Sequence, residues 1–241
     1  MTLLSVRDLE VRHGLLRAVR GVSFDIGAGE TVAFVGANGA GKTTLLRAIA
    51  GAHLPLDGRI EFANEDVTSL PSFRRVRSGI ALVPEGRRLF GDLSVTENLL
   101  LGRSAGNRGT WTLDSVFDAL PQLQPIRRSL AKNLSGGQQQ AVAIGRALLT
   151  NPRLLLLDEI SLGLSPVAVD LVYAAVGKLI AAGTTIIFVE QNLDRAISVA
   201  DRMICMLEGS VVLEGPAKEL TRPQITDAYF GLGASRSGGA H

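Results

Sequence analysis

A glycine-rich stretch with one lysine and two threonines is the part of this chain best suited to chemistry. The run Gly36-Ala37-Asn38-Gly39-Ala40-Gly41-Lys42-Thr43-Thr44 fits the G-x-x-x-x-G-K-[ST] pattern of a phosphate-binding loop. Glycines let the backbone wrap closely around a polyphosphate and turn its N–H groups inward. Lys42 can reach the β- and γ-phosphates, and the Thr43 hydroxyl can ligate Mg²⁺. We therefore predict a nucleoside triphosphate site that uses Gly36, Asn38, Gly39, Gly41, Lys42, Thr43 and Thr44.

The sequence on either side of this loop predicts the elements that must position it. Thr31–Val35 is typical of a buried strand, and Thr44–Ala50 is typical of a helix. The dipole at the N-terminus of such a helix favours an anion. The alternative, a glycine-rich turn between strand and helix that binds nothing, is disfavoured by this arrangement.

Two carboxylates follow a second apolar run. Arg153–Asp158 is predicted to be a strand buried on both faces, and the carboxylates Asp158 and Glu159 stand at its C-terminal end after four leucines. Ligands of open α/β sheets bind at the carboxyl ends of strands. Asp158 could hold Mg²⁺, and Glu159 could orient the attacking water as a general base. The pair alone also fits a solvated strand end, but the phosphate loop in the same chain favours the catalytic interpretation.

The most discriminating stretch is Leu134-Ser135-Gly136-Gly137-Gln138, which precedes a predicted helix over Gln138–Thr150. Its glycines bring a helix N-terminus close to another group, and Ser135 with the adjacent N–H groups forms a second anion-binding end. One nucleotide does not easily need two phosphate sites from one chain. Two chains arranged head to tail, each contributing its second site to the other's γ-phosphate, explain both. By itself the pentapeptide also fits a simple helix start.

Composition and periodicity place these stretches in a globular α/β protein. The 241 residues are 46% hydrophobic and 20% charged, with a net charge of +2 that gives no argument for a nucleic-acid partner. We see no membrane-spanning run and no signal peptide, and Cys205 alone fits a reducing cytoplasm. Leu4–Val11 and Gly21–Ile26 predict antiparallel strands, and helices follow over 86–150, with a capping box at Ser94–Glu97. Strands then alternate with helices, and the tail after Gly231 is predicted to be disordered.

The phosphate loop, Leu134–Gln138 and Leu154–Glu159, in this order, resemble the ATP-binding subunit of an ABC transporter. The resemblance runs from Leu3 to about Gly231. It implies a P-loop NTPase fold of the α/β class, with a mostly parallel core sheet, an N-terminal antiparallel β subdomain and an inserted α-helical subdomain. It also implies one ATP-binding domain over 1–231, ATP and Mg²⁺ as ligands, and hydrolysis that opens and closes a pair of subunits. Ser161–Pro166 would form the D-loop between the paired sites.

Three further stretches resemble the LivF-type subunits of branched-chain amino acid importers: Val83–Phe90, Ala143–Leu148 and Val189–Asn192. Glu85 stands where the superfamily usually has a Gln that links the ATP site to the membrane subunit. Gln191 stands where it usually has a switch His, and LivF-type chains commonly share both changes. Gln191 can donate a hydrogen bond to the γ-phosphate but cannot carry a proton. The resemblance therefore implies Glu159, Gln191 and Glu85 as catalytic residues, and Thr43, Asp158 and Glu85 around the metal.

His13 lies near the position where the family usually stacks a Tyr on adenine. An imidazole can stack with less area, so we expect His13 among the nucleotide-binding residues together with Ser135, Gly136, Gly137 and Gln138. An exposed residue at a strand end is the alternative for His13.

The resemblance implies several partners: a sister ATP-binding subunit or a second copy, permease subunits, and a substrate-binding protein. The chain would then be cytoplasmic and peripheral on the inner face of the membrane. Glu85–Phe90 and the helix after Ser94 form the candidate permease contact, although Arg87 and Arg88 also fit a solvated turn. Branched-chain or other hydrophobic amino acids are the expected cargo, with urea, short amides or other amino acids as the alternative. A soluble ABC ATPase acting on ribosomes or DNA would carry a second cassette or basic extensions, which are not visible here.

Overall fold

The computed structural model describes residues 1–231, and the chain divides into two compact units. Unit 1 comprises Met1–Leu70 and the described residues from Ile187 onward, and unit 2 is Pro71–Ile186. The tail predicted to be disordered, 232–241, lies outside the described residues. Helices and strands are numbered below in chain order.

The first part of unit 1 is an antiparallel sheet with the strand order β2-β1-β4-β5. The predicted strands over Leu4–Val11 and Gly21–Ile26 are confirmed, and both are longer than expected. Apolar side chains such as Val6 are buried, and Val6 lies opposite Phe24 on one neighbouring strand and Ile60 on the other. The elements of this part are β1 (Thr2–His13), β2 (Leu16–Gly27), β3 (Thr31–Val35), α1 (Lys42–Ile49), β4 (Asp57–Phe62) and β5 (Glu65–Asp66).

Unit 2 places three helices between two parallel strands. Its elements are α2 (Ser72–Ser78), β6 (Ile80–Val83), α3 (Val95–Ala105), α4 (Leu113–Ala119), α5 (Gly136–Leu148), β7 (Leu154–Asp158) and α6 (Pro166–Ala181). Because β6 pairs in parallel with β7, with Val83 opposite Leu157, the intervening α3, α4 and α5 form an insertion between neighbouring strands. The predicted inserted helical region is thereby confirmed.

The chain then returns to unit 1 through β8, which contains the division between the units. The remaining elements are β8 (Thr185–Val189), α7 (Leu193–Val199), β9 (Arg202–Leu207), β10 (Ser210–Pro216) and α8 (Arg222–Phe230). Within unit 1, β9 pairs in parallel with β3 and antiparallel with β10. All five side chains of β3 are buried, as the apolar run predicted. The parallel pairs and the antiparallel N-terminal sheet confirm the predicted fold class.

Charged groups fasten β9 to β3 where the two strands start. Asp201 exchanges two hydrogen bonds with Thr31, since its N–H donates to the Thr31 carbonyl at 2.8 Å and its carboxylate accepts the Thr31 N–H at 2.9 Å. The Arg202 guanidinium donates to Glu30 at 2.7 Å and also pairs with Glu214. Burial lowers the pKa of Arg202, but the hydrogen bonds and charges of the two glutamates outweigh it and leave that pKa raised. These contacts hold together the starts of β3 and β9, and the phosphate loop departs from the opposite end of β3.

Helix α3 starts at the predicted capping box. The Ser94 hydroxyl accepts the Glu97 N–H at 3.2 Å, and the Glu97 carboxylate accepts the Ser94 N–H at 2.7 Å and its hydroxyl at 2.6 Å. These hydrogen bonds from Ser94 lower the pKa of Glu97. A carboxylate with a lowered pKa stabilises the fold above the ordinary glutamate pKa, and this stabilisation is lost as the pH falls.

Replacing the Ser94 cap should therefore destabilise the protein in a pH-dependent way. We expect Ser94→Ala to lower the free energy of unfolding by about 1 kcal/mol at neutral pH. The difference from wild type should shrink in acid, because a neutral, protonated Glu97 accepts hydrogen bonds from Ser94 more weakly than the carboxylate does. Urea unfolding at pH 7 and at pH 4 measures both. Ser104→Ala, near the other end of α3, is the control and should stay within about 0.5 kcal/mol of wild type; an equal loss in both variants would contradict the capping role.

Candidate functional site

The phosphate loop follows β3, and two neighbouring backbone carbonyls determine its shape. Gly36 has φ +148°, and a Cβ added there would lie 2.2 Å from the Met206 carbonyl oxygen on β9. Gly41 has φ +98°, and its Cβ would lie 2.2 Å from the Ala18 carbonyl oxygen on β2. Both positions therefore exclude any side chain, whether or not a phosphate is bound. The sequence pattern alone predicts these glycines only because the backbone must approach the ligand closely.

Lys42 is the first residue of α1 and is held inside the loop. Its side chain is 4% exposed, and its ammonium donates to the carbonyls of Gly36 at 2.7 Å and Ala37 at 2.8 Å. Gly41, the N-cap, has no side chain to bind the first N–H groups of the helix, and no acidic residue stands in its first turn. Positive charge and backbone donors thus meet at one point, which is the arrangement that binds an anion.

One histidine contacts the first turn of α1, and a second histidine contacts the first one. The exposed His13 ends β1, and its Nε2 is 3.1 Å from the Thr44 hydroxyl oxygen. Its ring contacts the His53 ring edge-to-face, with centroids 4.5 Å apart. His53 Nε2 is 2.7 Å from the Arg12 carbonyl oxygen, which can only accept, so that nitrogen carries the proton. The structure thus brings His13 to the phosphate loop, and His53 is a neighbour that sequence reasoning missed.

Gln191 stands beside the start of the phosphate loop in unit 1. The N–H of Glu190 donates to the Phe34 carbonyl at 3.2 Å, two residues before Gly36. The Glu190 carboxylate, 3% exposed, accepts the N–H groups of Gln191 and Asn192, both at 2.9 Å. Glu190 thus holds the backbone of Gln191, and Gln191 itself is an exposed residue. Glu190 was not predicted as a site residue, because a buried carboxylate that only shapes a turn leaves no motif.

Three acidic residues of unit 2, Glu85, Asp158 and Glu159, lie at one edge of the β6–β7 pair. Asp158, 0% exposed, is the last residue of β7, and the half-buried Glu159 follows with φ +48°. Since Val83 lies opposite Leu157, Glu85 and Glu159 each come two residues after a paired position. All three carboxylates therefore leave the carboxyl ends of parallel strands, where α/β folds place their ligands. The left-handed backbone of Glu159 is uncommon for a residue with a side chain and marks a constrained position.

The serine–glycine stretch forms the start of α5. Ser135 and Gln138 cap each other, since the Ser135 hydroxyl accepts the Gln138 N–H at 3.4 Å and the Gln138 side chain accepts the Ser135 N–H at 2.9 Å. A Cβ at Gly137 would lie 2.6 Å from the Ala168 Cβ, so this helix start approaches α6 too closely for a side chain. A Cβ at Gly136 would lie 3.1 Å from the Arg87 guanidinium, so both glycines allow close packing of the first turn of α5.

The turn over Glu85–Phe90 is tied to α5 within unit 2. Arg87 donates to the Gln139 side chain at 3.2 Å, and Arg146 donates to the Arg87 carbonyl at 3.2 Å. Arg87 and Arg88 both have positive φ, +61° and +47°. Arg87 is thus an anchored residue, whereas the exposed Arg88 matches the solvated-turn alternative.

Comparison with known proteins decides the family. The sequence model of the ABC transporter family matches residues 19–161, a range that includes the phosphate loop, Ser135–Gln138 and the Asp158–Glu159 pair. This chain belongs to the ABC transporter family. It is an ATP-hydrolysing, ATP-binding subunit of that family, as the triple motif predicted. No helix within residues 1–231 is long and apolar enough to cross a membrane.

Individual relatives and a solved structure agree with this membership. BraG of Pseudomonas aeruginosa, a high-affinity branched-chain amino acid transport ATP-binding protein, is 39% identical and covers 95% of this chain and all of its own length. LivF of Archaeoglobus fulgidus, a probable branched-chain amino acid transport ATP-binding protein, is 34% identical over 83% of this chain and 86% of its own. A crystal structure of a nucleotide-free ATP-binding cassette from an ABC transporter has a TM-score of 0.85, with 27% identity, and covers 95% of this chain and 99% of that one. The resemblance to LivF-type subunits is confirmed.

The two-carbonyl constraint on the loop is open to a direct test. We expect Gly36→Ala to abolish measurable ATP binding and to lower the free energy of unfolding by about 1–3 kcal/mol, because the new Cβ must displace the Met206 carbonyl. Gly39→Ala is the matched control: its φ is +82°, but its Cβ would meet nothing within 4 Å. Its free energy of unfolding should fall only by the backbone strain of about 1 kcal/mol. Binding of a fluorescent ATP analogue and urea unfolding measure the two effects, and equal losses in both variants would refute the constraint.

Proposed function

We propose that the two units form one ATP-binding domain over residues 1–231, in which the phosphate loop, Asp158 and Glu159 act on the same ATP. The observation that carries this proposal is the Lys42 ammonium, enclosed by the loop at the open N-terminus of α1. The Lys42 ammonium would contact the β- and γ-phosphates of the bound nucleotide. Gly36, Asn38, Gly39, Gly41, Thr43 and Thr44 would supply the remaining contacts to the phosphates.

Mg²⁺ fits the donor atoms that this site provides. Within the described residues no group of three or more His, Cys, Asp or Glu side chains could hold a metal by itself. Mg²⁺ usually binds through one or two protein oxygens together with waters and substrate phosphates. We assign the Thr43 hydroxyl and the buried Asp158 carboxylate to that role, with Glu85 beside them. The ion would neutralise charge on the phosphates during transfer.

Glu159 is the proposed general base. It follows the buried Asp158 directly, and its constrained backbone limits where its carboxylate can go. It would accept a hydrogen bond from the attacking water and hold that water in line with the γ-phosphate. Gln191, whose backbone is fixed by Glu190, would donate its amide to the γ-phosphate. The amide cannot take a proton, which leaves the base function to Glu159.

His13 is the proposed contact for the nucleobase. It is exposed at the mouth of the loop and touches Thr44, so a base bound beyond the phosphates would meet its ring. The edge-to-face contact with His53 would hold the imidazole in place.

Two ATP-binding subunits would pair head to tail, as the second anion-binding end suggests. Ser135, Gly136, Gly137 and Gln138 of one subunit would contact the γ-phosphate held by the other. Large apolar side chains are exposed beside this stretch: Leu162 at 50%, and Val167 and Leu171, one turn apart on α6, at 70% and 52%. Burial of such a surface favours association. The partner would be a sister ATP-binding subunit or a second copy.

The proposed role is the motor of an importer at the inner face of the cell membrane. Permease subunits and a substrate-binding protein would complete the complex. Phe90, 59% exposed, is a suitable permease contact because the buried Asn98 side chain holds its N–H and carbonyl, both at 3.0 Å. The names of BraG and LivF support branched-chain or other hydrophobic amino acids as cargo. Uptake of leucine and of urea by the reconstituted importer tests the proposed cargo. ATP-driven uptake of urea without uptake of leucine would contradict it.

The base assignment makes a quantitative prediction. Glu159→Gln should lower the ATP hydrolysis rate by about 10²- to 10⁴-fold, the usual contribution of a general base, while ATP binding is retained. Lys42→Ala is the companion variant and should lose tight ATP binding. Steady-state phosphate release and equilibrium binding of Mg·ATP measure the two properties separately. Wild-type turnover in Glu159→Gln would show that another residue is the base.

A further inference from the structure

Two histidines of unit 1, His13 and His53, contact each other beside the phosphate loop, and we call them the histidine pair. Their ring centroids are 4.5 Å apart, with an angle of 62° between the ring planes. His13 is exposed, and its Nε2 lies 3.1 Å from the hydroxyl oxygen of Thr44 in the first turn of α1. His53 is half-buried, and its backbone N–H donates to the Arg47 carbonyl of α1 at 3.2 Å. The pair is therefore held against α1 at two points.

The histidine pair can gain a proton without losing a hydrogen bond. The Thr44 hydroxyl can donate to an unprotonated His13 Nε2 or accept from a protonated one, so this contact persists in both charge states. His53 Nε2 already carries a proton, which it donates to the Arg12 carbonyl at 2.7 Å. Within residues 1–231, the Nδ1 atom of neither ring has a hydrogen-bond partner. Each ring thus has a nitrogen at which a proton can be added.

Across the described part of the chain, no carboxylate lies within ion-pair distance of the histidine pair. Glu10, the nearest acid along β1, already pairs with Arg17 at 3.5 Å. The nearest charged residues along the surrounding elements are mostly cations: Arg12 and Glu10 on β1, Arg17 on β2, Lys42 and Arg47 on α1, and Asp57 at the start of β4. An added proton on the pair would therefore be favoured by an anionic ligand.

We propose that the histidine pair takes up one proton when Mg·ATP binds, so that the affinity for ATP increases as the pH falls. This inference rests on the proposed function, in which the phosphates occupy the loop and the base meets His13, and it adds regulation by pH to that site. Phosphates bound at the first turn of α1 favour a charged imidazole nearby, and a charged ring also stacks more strongly on the base. Because two charges 4.5 Å apart repel each other, the two rings share a single added proton.

The test compares the full-length wild type with the double variant His13→Phe/His53→Phe. Phenylalanine keeps two aromatic rings for contact and stacking but cannot bind a proton. Binding of Mg·ATP at saturating Mg²⁺ is measured by titration calorimetry in two buffers of different ionisation enthalpy, which gives the number of protons taken up. Protonation of ATP itself contributes equally with both proteins, so the difference in proton number belongs to the histidine pair.

The expected pH range follows from the residue type, because histidine ordinarily changes charge between about pH 5 and 8. At about pH 6.5 we expect the wild type to take up between about 0.3 and 1 proton more per bound ATP than the double variant. At about pH 9 we expect no difference between the two proteins. The ATP affinity of the wild type should increase about fivefold from pH 8 to pH 6, and that of the double variant less than about twofold.

Two single variants complete the experiment. Leu54→Phe adds a ring at the exposed residue that follows His53 and should keep the wild-type proton uptake. His53→Phe should lower the uptake, because it removes one of the two rings that share the proton. An uptake equal to wild type in His53→Phe would place the proton on His13 alone and contradict the shared proton.

The outcomes separate this inference from the proposed function. If the wild type and the double variant bind Mg·ATP with the same proton number at about pH 6.5, the proton uptake is wrong and the proposed ATP site stands. If the double variant does not bind Mg·ATP, the difference between His53→Phe and Leu54→Phe decides in the same way. If the wild type binds Mg·ATP at neither pH, both the proposed function and this inference fail.

Discussion

Two backbone carbonyls, those of Ala18 on β2 and Met206 on β9, determine the path of the phosphate loop. They belong to the two sheets of unit 1, and each stands where a Cβ of a loop glycine would otherwise lie. The loop therefore cannot relax outward without moving both sheets. Its inner side is closed by Lys42, whose ammonium binds two loop carbonyls. The loop is thus ordered before its highly charged ligand binds. This preorganisation reduces the conformational entropy that is lost on binding.

The same principle extends to the groups around the loop. Glu190 fixes the backbone of Gln191 and donates its own N–H to the end of β3. The position of Gln191, which contacts the γ-phosphate in our proposal, is therefore held relative to the phosphate loop. In unit 2, Arg87 and Arg146 tie the turn after β6 to α5. A displacement of that turn would therefore be transmitted to Ser135, the N-cap of the same helix. This is a mechanical connection between the proposed permease contact and the proposed second phosphate contact.

The strongly patterned parts of the sequence were predictable because one physical rule governed each. Thr31–Val35 and Leu154–Asp158 each contain a run of four apolar residues, and both are strands buried at every position. Ser94–Glu97 is a capping box in which both partners make the predicted bonds. The order of the three motifs, together with the elements that flank them, was sufficient to predict the fold class and the family.

Other features depend on contacts that no local sequence pattern predicts. Helix α2 has only one buried residue, the charged Arg75, so it lacks the apolar stripe that predicts a helix. Helix α8 was missed although Thr221 and Gln224 form a capping box with a proline in the first turn, a signal that could have found it. Asn98 binds the backbone of Phe90 eight residues earlier, and Glu190 accepts the N–H groups of the two residues that follow it. His53 meets His13 across 40 residues of sequence. The close approach of Gly137 to Ala168 likewise belongs to helix packing rather than to a motif.

The most direct test of this account is an experimental structure of Glu159→Gln with Mg·ATP. The account predicts that the phosphates lie in the loop within hydrogen-bond distance of the Lys42 ammonium. It also predicts that residue 159 is close enough to the γ-phosphate to share one water with it, and that Ser135 of a paired subunit contacts that phosphate. Nucleotide bound away from the loop, or residue 159 too distant from the γ-phosphate to share a water, would contradict it.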